Sequence, residues 1–205
     1  MVKKADIPRH IVKTALALAA TQGWRDTTLG DIADAAKLPI GELLAIYPSK
    51  LSIVAAYSRQ IDGDMLKAID PELASEPPRD RLFDVMMRRL DALAPNREAV
   101  RSIISATLCD PVSAVCGAFV LRRSMVMMLE AASIGAAGLP GIVKVKGLAA
   151  IYMSVLRVWL NDDSEDMAKT MSALDRALRR AECIIGLCRF PSRWKAEAEP
   201  EAGSA

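Results

Sequence analysis

The chain has 205 residues, of which 52% are hydrophobic and 25% charged, and its formal net charge is +2. This length allows one large domain or two small ones with a sizeable core, and the near-neutral charge excludes a chain that binds nucleic acid as a polycation along its whole length. Helix-forming residues dominate and strand-like alternation of apolar and polar residues is missing, so the sequence predicts an all-α protein.

The first predicted helix runs from about Ile7 to Gln22. Asp6 is placed to cap it, and Pro8 fits its first turn, where a missing N–H costs nothing. Gly23 then ends the helix, because glycine adopts the left-handed conformation of a helix C-terminus without strain. Residues 1–61 carry a mild excess of basic over acidic side chains, which is compatible with nucleic-acid binding but does not establish it.

Two short helices joined by a tight turn are predicted within residues 27–50. Thr28 and Asp31 have the spacing of a capping box at the start of the first one. Pro39 marks the start of the second, and Ser49 is placed to cap the helix that follows. Two short helices that bury small and aliphatic residues against each other are typical of a helix-turn-helix. The residues predicted to form the shared apolar face are Leu29, Ile32, Ala33, Ala36, Leu43 and Ile46.

Longer helices are predicted for the rest of the chain. The Pro-rich segment Asp70 to Arg79 interrupts them, and the polar tail at residues 191–205 is predicted to be disordered. Residues 1–49 are thus expected to form a helix-turn-helix domain, and residues 50–190 a second, helical domain. The helices predicted in that domain are Lys50 to Ala68, Asp80 to Leu93, one ending near Cys109, Pro111 to Ala136, Gly141 to Leu160, and Glu165 to Leu187.

The first sixty residues resemble the N-terminal DNA-binding domain of TetR-family transcription regulators. The matching residues are Ile11, Ala15, Gly23, Thr27, Thr28, Ile32, Ala33, Ala36, Gly41, Leu43, Pro48, Ser49 and Lys50, with no gap in their spacing. The resemblance implies an all-α, TetR-like fold of about nine helices, in which a three-helix helix-turn-helix domain precedes a helical domain for ligand binding and dimerisation. It also implies a cytoplasmic one-component regulator, with repression or activation left open.

The resemblance places the second helix of the pair in the major groove of double-stranded DNA. Hydroxyl groups, lysines and the helix N-terminus would contact phosphates, which positions a protein on DNA without reading its sequence. The segment Pro39 to Ala45 lacks Arg, Lys, Asn and Gln, the side chains that contact guanine and adenine in a bidentate manner, so base recognition stays open. The residues implied to contact DNA are Thr27, Thr28, Lys37, Pro39, Ile40, Gly41, Glu42, Ala45, Tyr47 and Lys50.

The middle helices are rich in flexible apolar side chains. These side chains are predicted either to fill the core or to line an adaptable pocket for a small apolar effector, whose identity the sequence does not reveal. The pocket is what the resemblance implies. The residues that would line it are Phe83, Met86, Phe119, Met125, Met128 and Met153.

The two helices nearest the C-terminus carry apolar seams with alternating steps of three and four residues, as at coiled-coil core positions. Such seams form either intrachain core or the interface of a homodimer, and the resemblance favours a four-helix interface built by two copies. The residues predicted for that interface are Tyr152, Trp159, Met167, Met171, Leu174, Leu178 and Ile185.

The segment from Val155 to Glu182 carries a second resemblance. It combines Trp159, a short acidic turn and a helix with Leu174-Asp175-Arg176 at its centre, and is similar to the terminal region of the lipid-binding proteins of ubiquinone biosynthesis. Those proteins share the TetR fold but have lost DNA binding. The alternative function is therefore that of a lipid- or isoprenoid-binding accessory protein with a degenerate helix-turn-helix.

Catalysis and metal binding are not indicated. The only histidine is His10 and the cysteines form no CxxC pair, so the sequence predicts no zinc site. Nucleophile–base pairs and Gly-rich phosphate loops are missing, which argues against an enzyme, a catalytic residue or a cofactor. The cysteines, each predicted to be a small buried hydrophobic residue, are Cys109, Cys116, Cys183 and Cys188.

A membrane span is not expected either. The longest charge-free run, Ala131 to Val143, is shorter than the roughly 20 apolar residues that a transmembrane helix needs. Charged residues at the N-terminus stand where the apolar core of a signal peptide would lie. These two features predict a soluble protein of the cytoplasm.

Overall fold

The computed structural model describes residues 6–69, 75–164 and 166–188, with side chains up to residue 183. Within these ranges the chain forms nine α-helices and no strand, which confirms the predicted all-α class. A 3₁₀ turn at Ala94–Asn96 joins the fifth helix to the sixth. The helices are α1 (Ile7–Thr21), α2 (Leu29–Ala36), α3 (Ile40–Ile46), α4 (Lys50–Lys67), α5 (Pro78–Leu93), α6 (Arg97–Leu108), α7 (Pro111–Ala131), α8 (Gly138–Leu160) and α9 (Ala168–Cys188).

The caps of α2 and α4 form as predicted. Thr28 Oγ1 accepts a hydrogen bond of 3.1 Å from the Asp31 backbone N–H, and Asp31 Oδ2 accepts one of 2.8 Å from the Thr28 N–H. The backbone N–H of Thr28 and then the Thr28 side chain lower the pKa of the Asp31 carboxyl. Ser49 and Ser52 exchange the equivalent pair of bonds at the start of α4. Both helix starts therefore follow from residues three apart in the sequence.

The cap of α1 and the boundary between α7 and α8 differ from the prediction. Asp6 precedes α1 but makes no capping side-chain bond. Helix α7 ends at Ala131 rather than Ala136, because Ser133 takes a left-handed φ of 56° and Ile134 donates its N–H back to Leu129, the pattern of a Schellman motif. Helix α8 accordingly begins three residues earlier than predicted, at Gly138.

The start of α9 is also displaced, from Glu165 to Ala168. The buried Asp162 carboxylate accepts hydrogen bonds from the Thr170 backbone N–H at 2.8 Å and from the Thr170 hydroxyl at 2.7 Å. The Ser164 side chain and then that of Thr170 hold the pKa of Asp162 well below its ordinary value. The acidic turn thus anchors the N-terminus of α9, where negative charge is favoured by the helix dipole.

One hydrophobic core connects the helices. Ile11 of α1, Ile32 of α2 and Leu43 of α3 are each fully buried, and the same cluster of buried residues continues through α4 to α9. The three N-terminal helices are therefore packed onto the rest of the molecule rather than tethered to it by a linker. Helix α6 takes the largest share of the packing against α1.

Two of the described helices, α7 and α8, have the length and apolar composition of a membrane span. Charge-free runs in the sequence do not reveal this, since each helix carries charged residues, as at Arg122 and Arg123 of α7. Core helices of soluble proteins satisfy the same criterion. Helix α8 places Tyr152 and Trp159 in the core, with the two side chains at most 3% exposed.

The cysteines were expected to be buried, and this prediction is wrong for Cys109 and Cys183. Both thiols are exposed and free, while Cys116 is partly buried. Cys109 follows the last residue of α6, and Cys183 lies on the outward face of α9. The apolar runs around them mark one face of each helix, and the cysteines lie off that face. The side chains of Ile185 and Cys188 and the predicted tail at residues 191–205 lie outside the described residues.

Candidate nucleic-acid interface and apolar cavity

The outward face of α3 is apolar. Ile40 and Leu44 are 45% and 42% exposed, and Ala45 lies beside them on the surface. Gly41 has nothing within 4 Å of the position that a Cβ atom would occupy, so this face is open to a bound molecule. Glu42, in the first turn, is partly buried. The face therefore offers van der Waals contacts and a carboxylate but none of the side chains that read guanine or adenine.

Three of the residues that the resemblance implies to contact DNA make hydrogen bonds within the protein instead. Thr27 is 1% exposed, and its hydroxyl donates a hydrogen bond of 2.7 Å to the Gly23 carbonyl. The Tyr47 ring is 8% exposed, and its hydroxyl donates to the Pro8 carbonyl at 3.5 Å. These hydroxyls shape the turn before α2 and join the end of α3 to α1.

Lys50 is the third. Its Nζ donates to the Trp24 carbonyl at 2.5 Å and lies 4.8 Å from the centroid of the Trp24 ring, a cation–π arrangement. Burial lowers the pKa of the Lys50 amine. The side chain therefore ties the start of α4 to the segment after α1. The implied DNA contacts that remain on the surface are Thr28, Lys37, Pro39, Ile40, Gly41 and Ala45.

The helix-turn-helix is fixed to α6 by a direct bond. The backbone N–H of the buried Trp24 donates a 2.7 Å hydrogen bond to Ser102 Oγ in α6. Gly23, with a φ of 93°, supplies the left-handed turn that brings Trp24 under α1. His10 Nε2 lies 3.2 Å from the Ala36 carbonyl and joins α1 to the end of α2. These bonds connect α6 to the segment after α1, and α1 to α2.

An apolar cavity of about 290 Å³ lies among α4, α5, α6, α7 and α8. Among the residues predicted for a pocket, Met153 lines it. Met86, Met125 and Met128 are instead fully buried in the core, and Phe119 is 69% exposed on α7. Phe83 lines a separate shallow depression beside α9. Much of the cavity wall comes from aliphatic residues that the sequence did not single out, including Val54, Val100, Ile103, Leu121 and Leu156.

A buried polar cluster borders this cavity. Arg89 of α5 and Asp62 of α4 form an ion pair with their side chains 6% and 5% exposed. Arg89 also donates to the Tyr152 hydroxyl at 3.2 Å, to Ser58 Oγ at 3.3 Å and to Ser124 Oγ at 3.2 Å. Ser124 in turn donates to the second Asp62 oxygen at 2.9 Å. Sequence reasoning missed this cluster, although Asp62 and Arg89 each interrupt an apolar face of a helix, which is a recognisable signal.

Tyr57 is another polar residue of the cavity wall. Its side chain is 6% exposed, and its hydroxyl is buried without a hydrogen-bond partner. Burial raises the pKa of Tyr57 to about 12. The Asn96 side chain lowers this pKa by a smaller amount, but it lies outside hydrogen-bonding geometry with the Tyr57 hydroxyl. The phenol is thus a protonated donor at neutral pH.

Four of the residues predicted for a dimer interface belong to the core of the single chain. Tyr152, Trp159, Leu174 and Leu178 are at most 4% exposed, because α8 and α9 pack their apolar seams against each other and against α5. Met167 and Met171 are partly buried, and the side chain of Ile185 is not described. Tyr152, Trp159, Leu174 and Leu178 are therefore part of the intrachain core.

Comparison with known proteins supports both resemblances. A family model described as COQ9, a TetR-fold family, matches residues 144–184, in the region of the second resemblance. No curated protein matches the chain. A TetR transcriptional regulator from Nitrosomonas europaea is 27% identical, with a TM-score of 0.70 over 86% of this chain and 98% of that one.

Two further structures share the fold at lower identity. A TetR transcriptional regulator from Rhodococcus is 21% identical, with a TM-score of 0.63 over 87% of this chain and 97% of that one. FadR of Thermus thermophilus, a TetR-family transcriptional repressor in complex with lauroyl-CoA, is 17% identical, with a TM-score of 0.54 over 97% of this chain and all of that one. The protein therefore has the TetR fold, and its predicted resemblance to TetR-family regulators is confirmed.

Proposed function

We propose that the protein is a cytoplasmic, one-component transcriptional regulator of TetR type, which binds operator DNA as a homodimer and responds to a small apolar effector. The observation that carries this proposal is the position of α6. Ser102 of α6 holds Trp24 beside the helix-turn-helix, while Val100 and Ile103 of the same helix line the apolar cavity. A ligand that moves α6 would change the position of the helix pair and hence the affinity for DNA, which is a coupling between two sites.

The surface of the helix pair supports DNA binding through phosphate contacts more than through base readout. Lys37 is exposed at the turn, and the Thr28 hydroxyl is exposed at the N-terminus of α2, where the helix dipole favours phosphate. DNA upstream of the protein's own gene is the first fragment to test by gel shift. We expect binding at 50 mM salt that weakens steeply toward 200 mM, as counterion release requires. Absence of binding at the lower salt concentration would exclude the regulator.

Lys37→Ala should reduce the salt dependence of DNA binding. Removing one lysine–phosphate interaction lowers the slope of log affinity against log salt by about 0.9, so for a dimer the slope should fall by about 1.8. The slopes are measured by fluorescence anisotropy. Arg122→Ala, which removes one positive charge from the exposed surface of α7, is the control and should leave the slope unchanged. Equal slopes for the wild type and Lys37→Ala would show that Lys37 does not bind a phosphate.

The homodimer is proposed to form through the outward faces of α8 and α9. Val143, Gly147, Ala150 and Ser154 lie on the exposed side of α8 at steps of three and four residues. Gly147 has open space where a Cβ atom would be, so another helix can approach closely there. The buried seam residues cannot serve this purpose without opening the core.

Ala150→Glu should convert the dimer to a monomer, because it places a charge at the centre of the proposed interface, where a carboxylate would have no partner. Light scattering measures the molar mass in solution. Ala17→Glu, the same substitution at an exposed position of α1, is the control and should leave the mass unchanged. A dimer that survives Ala150→Glu would place the interface on another face.

The second candidate function is that of a lipid- or isoprenoid-binding accessory protein. Two observations favour it: the COQ9 match over residues 144–184 and the lack of base-reading side chains on α3. In that case an isoprenoid should co-purify and be detected by lipid extraction and mass spectrometry. The Lys37→Ala variant would then retain full function in the cell, and the protein would not bind the upstream DNA fragment.

A further inference from the structure

The cavity has one polar end and otherwise aliphatic walls. The polar residues Tyr57, Ser58, Arg89 and Tyr152 line it, and Arg89 donates hydrogen bonds to Ser58 and Tyr152. Thr107 also lines the cavity, but its hydroxyl donates to the Ile103 carbonyl at 2.7 Å and is therefore satisfied. A ligand that fills this space must be apolar over most of its surface and can meet polar groups at one end.

The charge at that end is already balanced. Among the residues that line the cavity, Arg89 carries the charge. Its guanidinium forms an ion pair with Asp62, which is equally buried. The remaining donors of Arg89 reach Tyr152, Ser58 and Ser124. A carboxylate ligand would bring a second negative charge to a desolvated site with one cation, which is unfavourable because buried charges need partners. The site is therefore matched to an uncharged head group.

The hydroxyl of Tyr57 is the donor that a ligand can satisfy. It is buried without a partner, a state that costs free energy in a folded protein. Tyr57 lines the cavity together with its neighbour Ser58 and with Arg89 and Tyr152. With the pKa raised to about 12, the hydroxyl keeps its proton and can donate to a carbonyl or hydroxyl oxygen.

We propose that the cavity binds a small neutral amphiphile, an aliphatic body with one oxygen that accepts a hydrogen bond from Tyr57, and that it discriminates against carboxylates. This inference rests on the proposed effector site and names the chemical class of its ligand. The volume of about 290 Å³ is about twice that of a ~150 Å³ cavity that holds one benzene molecule, which suits a molecule with about eight carbons.

The probes are 2-octanone and octanoate, which have equal chain lengths and differ in head-group charge. Isothermal titration calorimetry with the full-length protein at pH 8 should give at least tenfold tighter binding of 2-octanone. Tyr57→Phe removes the hydroxyl and keeps the ring, and should weaken 2-octanone binding about fivefold, the effect of one hydrogen bond. Tyr47→Phe, the same change in the N-terminal helices, should leave the affinity unchanged.

Octanoate binding as tightly as 2-octanone would overturn the proposal, and so would an unchanged affinity in Tyr57→Phe. Neither result contradicts the control of DNA binding by another apolar effector. If neither probe binds, both the neutral-ligand proposal and effector control through this cavity fail. Promoter binding is measured independently of the probes, so failure of the regulator itself is recognised separately.

Discussion

Asp62→Asn should lower the free energy of unfolding by about 3–5 kcal/mol, the usual cost of breaking a buried ion pair by removing one partner. The reason is that Arg89 stays behind as an uncompensated charge, with only 6% of its side chain exposed. Ser124 would also lose the carboxylate oxygen to which it donates. Urea denaturation measures the loss, and an unchanged slope of stability against urea shows that the native and unfolded states are otherwise comparable.

Asp84→Asn is the matched control for this prediction. Asp84 pairs with Arg88 one turn along α5, at 2.5 Å, but about a quarter of each side chain is exposed to solvent. Removing that carboxylate should cost less than about 1 kcal/mol, as for other ion pairs in contact with water. Equal losses in the two variants would mean that Arg89 is not a buried, uncompensated charge in Asp62→Asn.

Octanoate should stabilise Asp62→Asn and not the wild type, because its carboxylate supplies the negative charge that the variant lacks.

Trp24→Ala should lower the free energy of unfolding by about 3–5 kcal/mol, the typical cost of removing a large buried aromatic side chain. The ring is 6% exposed and packs under α1, and the Lys50 amine lies over its face. Without the ring, the apolar contact beneath α1 is lost, while α1 still packs against α6. Urea denaturation again measures the loss.

Trp24→Phe is the companion variant. It retains an aromatic face for Lys50 and most of the buried surface, so its loss should be clearly smaller than that of Trp24→Ala. A Trp24→Ala variant within about 1 kcal/mol of the wild type would contradict the anchoring role, since exposed positions tolerate substitution at that level.

The parts of the fold that the sequence predicts well depend on neighbouring residues. The capping boxes at Thr28 and Ser49 each involve two residues three positions apart, so the pattern is visible in the chain itself. Helix ends that depend on a turn without glycine are harder to predict. The end of α7 is set by Ser133 in a left-handed conformation, which non-glycine residues seldom adopt.

The candidate sites were less predictable because their residues come together from distant parts of the chain. Arg89 lies 27 residues from Asp62 and 35 from Ser124, and nothing in the local sequence pairs them. The residues that the resemblance implies to contact DNA illustrate a second reason. Thr27 and Lys50 have the chemistry of phosphate contacts, yet the same hydroxyl and amine also satisfy the carbonyls of Gly23 and Trp24. Residue type alone does not decide between these two roles.

Methionine content was a poor guide to the cavity for a similar reason. A flexible apolar side chain serves equally well in a core and in a pocket, and packing of α5 and α7 buries Met86, Met125 and Met128 completely. The cavity instead lies where small side chains of α7, such as Ala114 and Ala118, face α6. Only the arrangement of the helices reveals that space.

The central claim is that one chain carries both a DNA-binding surface and the ligand site that controls it. The most direct test is a fluorescence anisotropy titration of the upstream DNA fragment with the full-length protein, with and without saturating 2-octanone. We expect the probe to change the DNA affinity by at least about fivefold, the lower end of typical coupling between sites. Salt-sensitive DNA binding that is identical with and without the bound probe would contradict the claim.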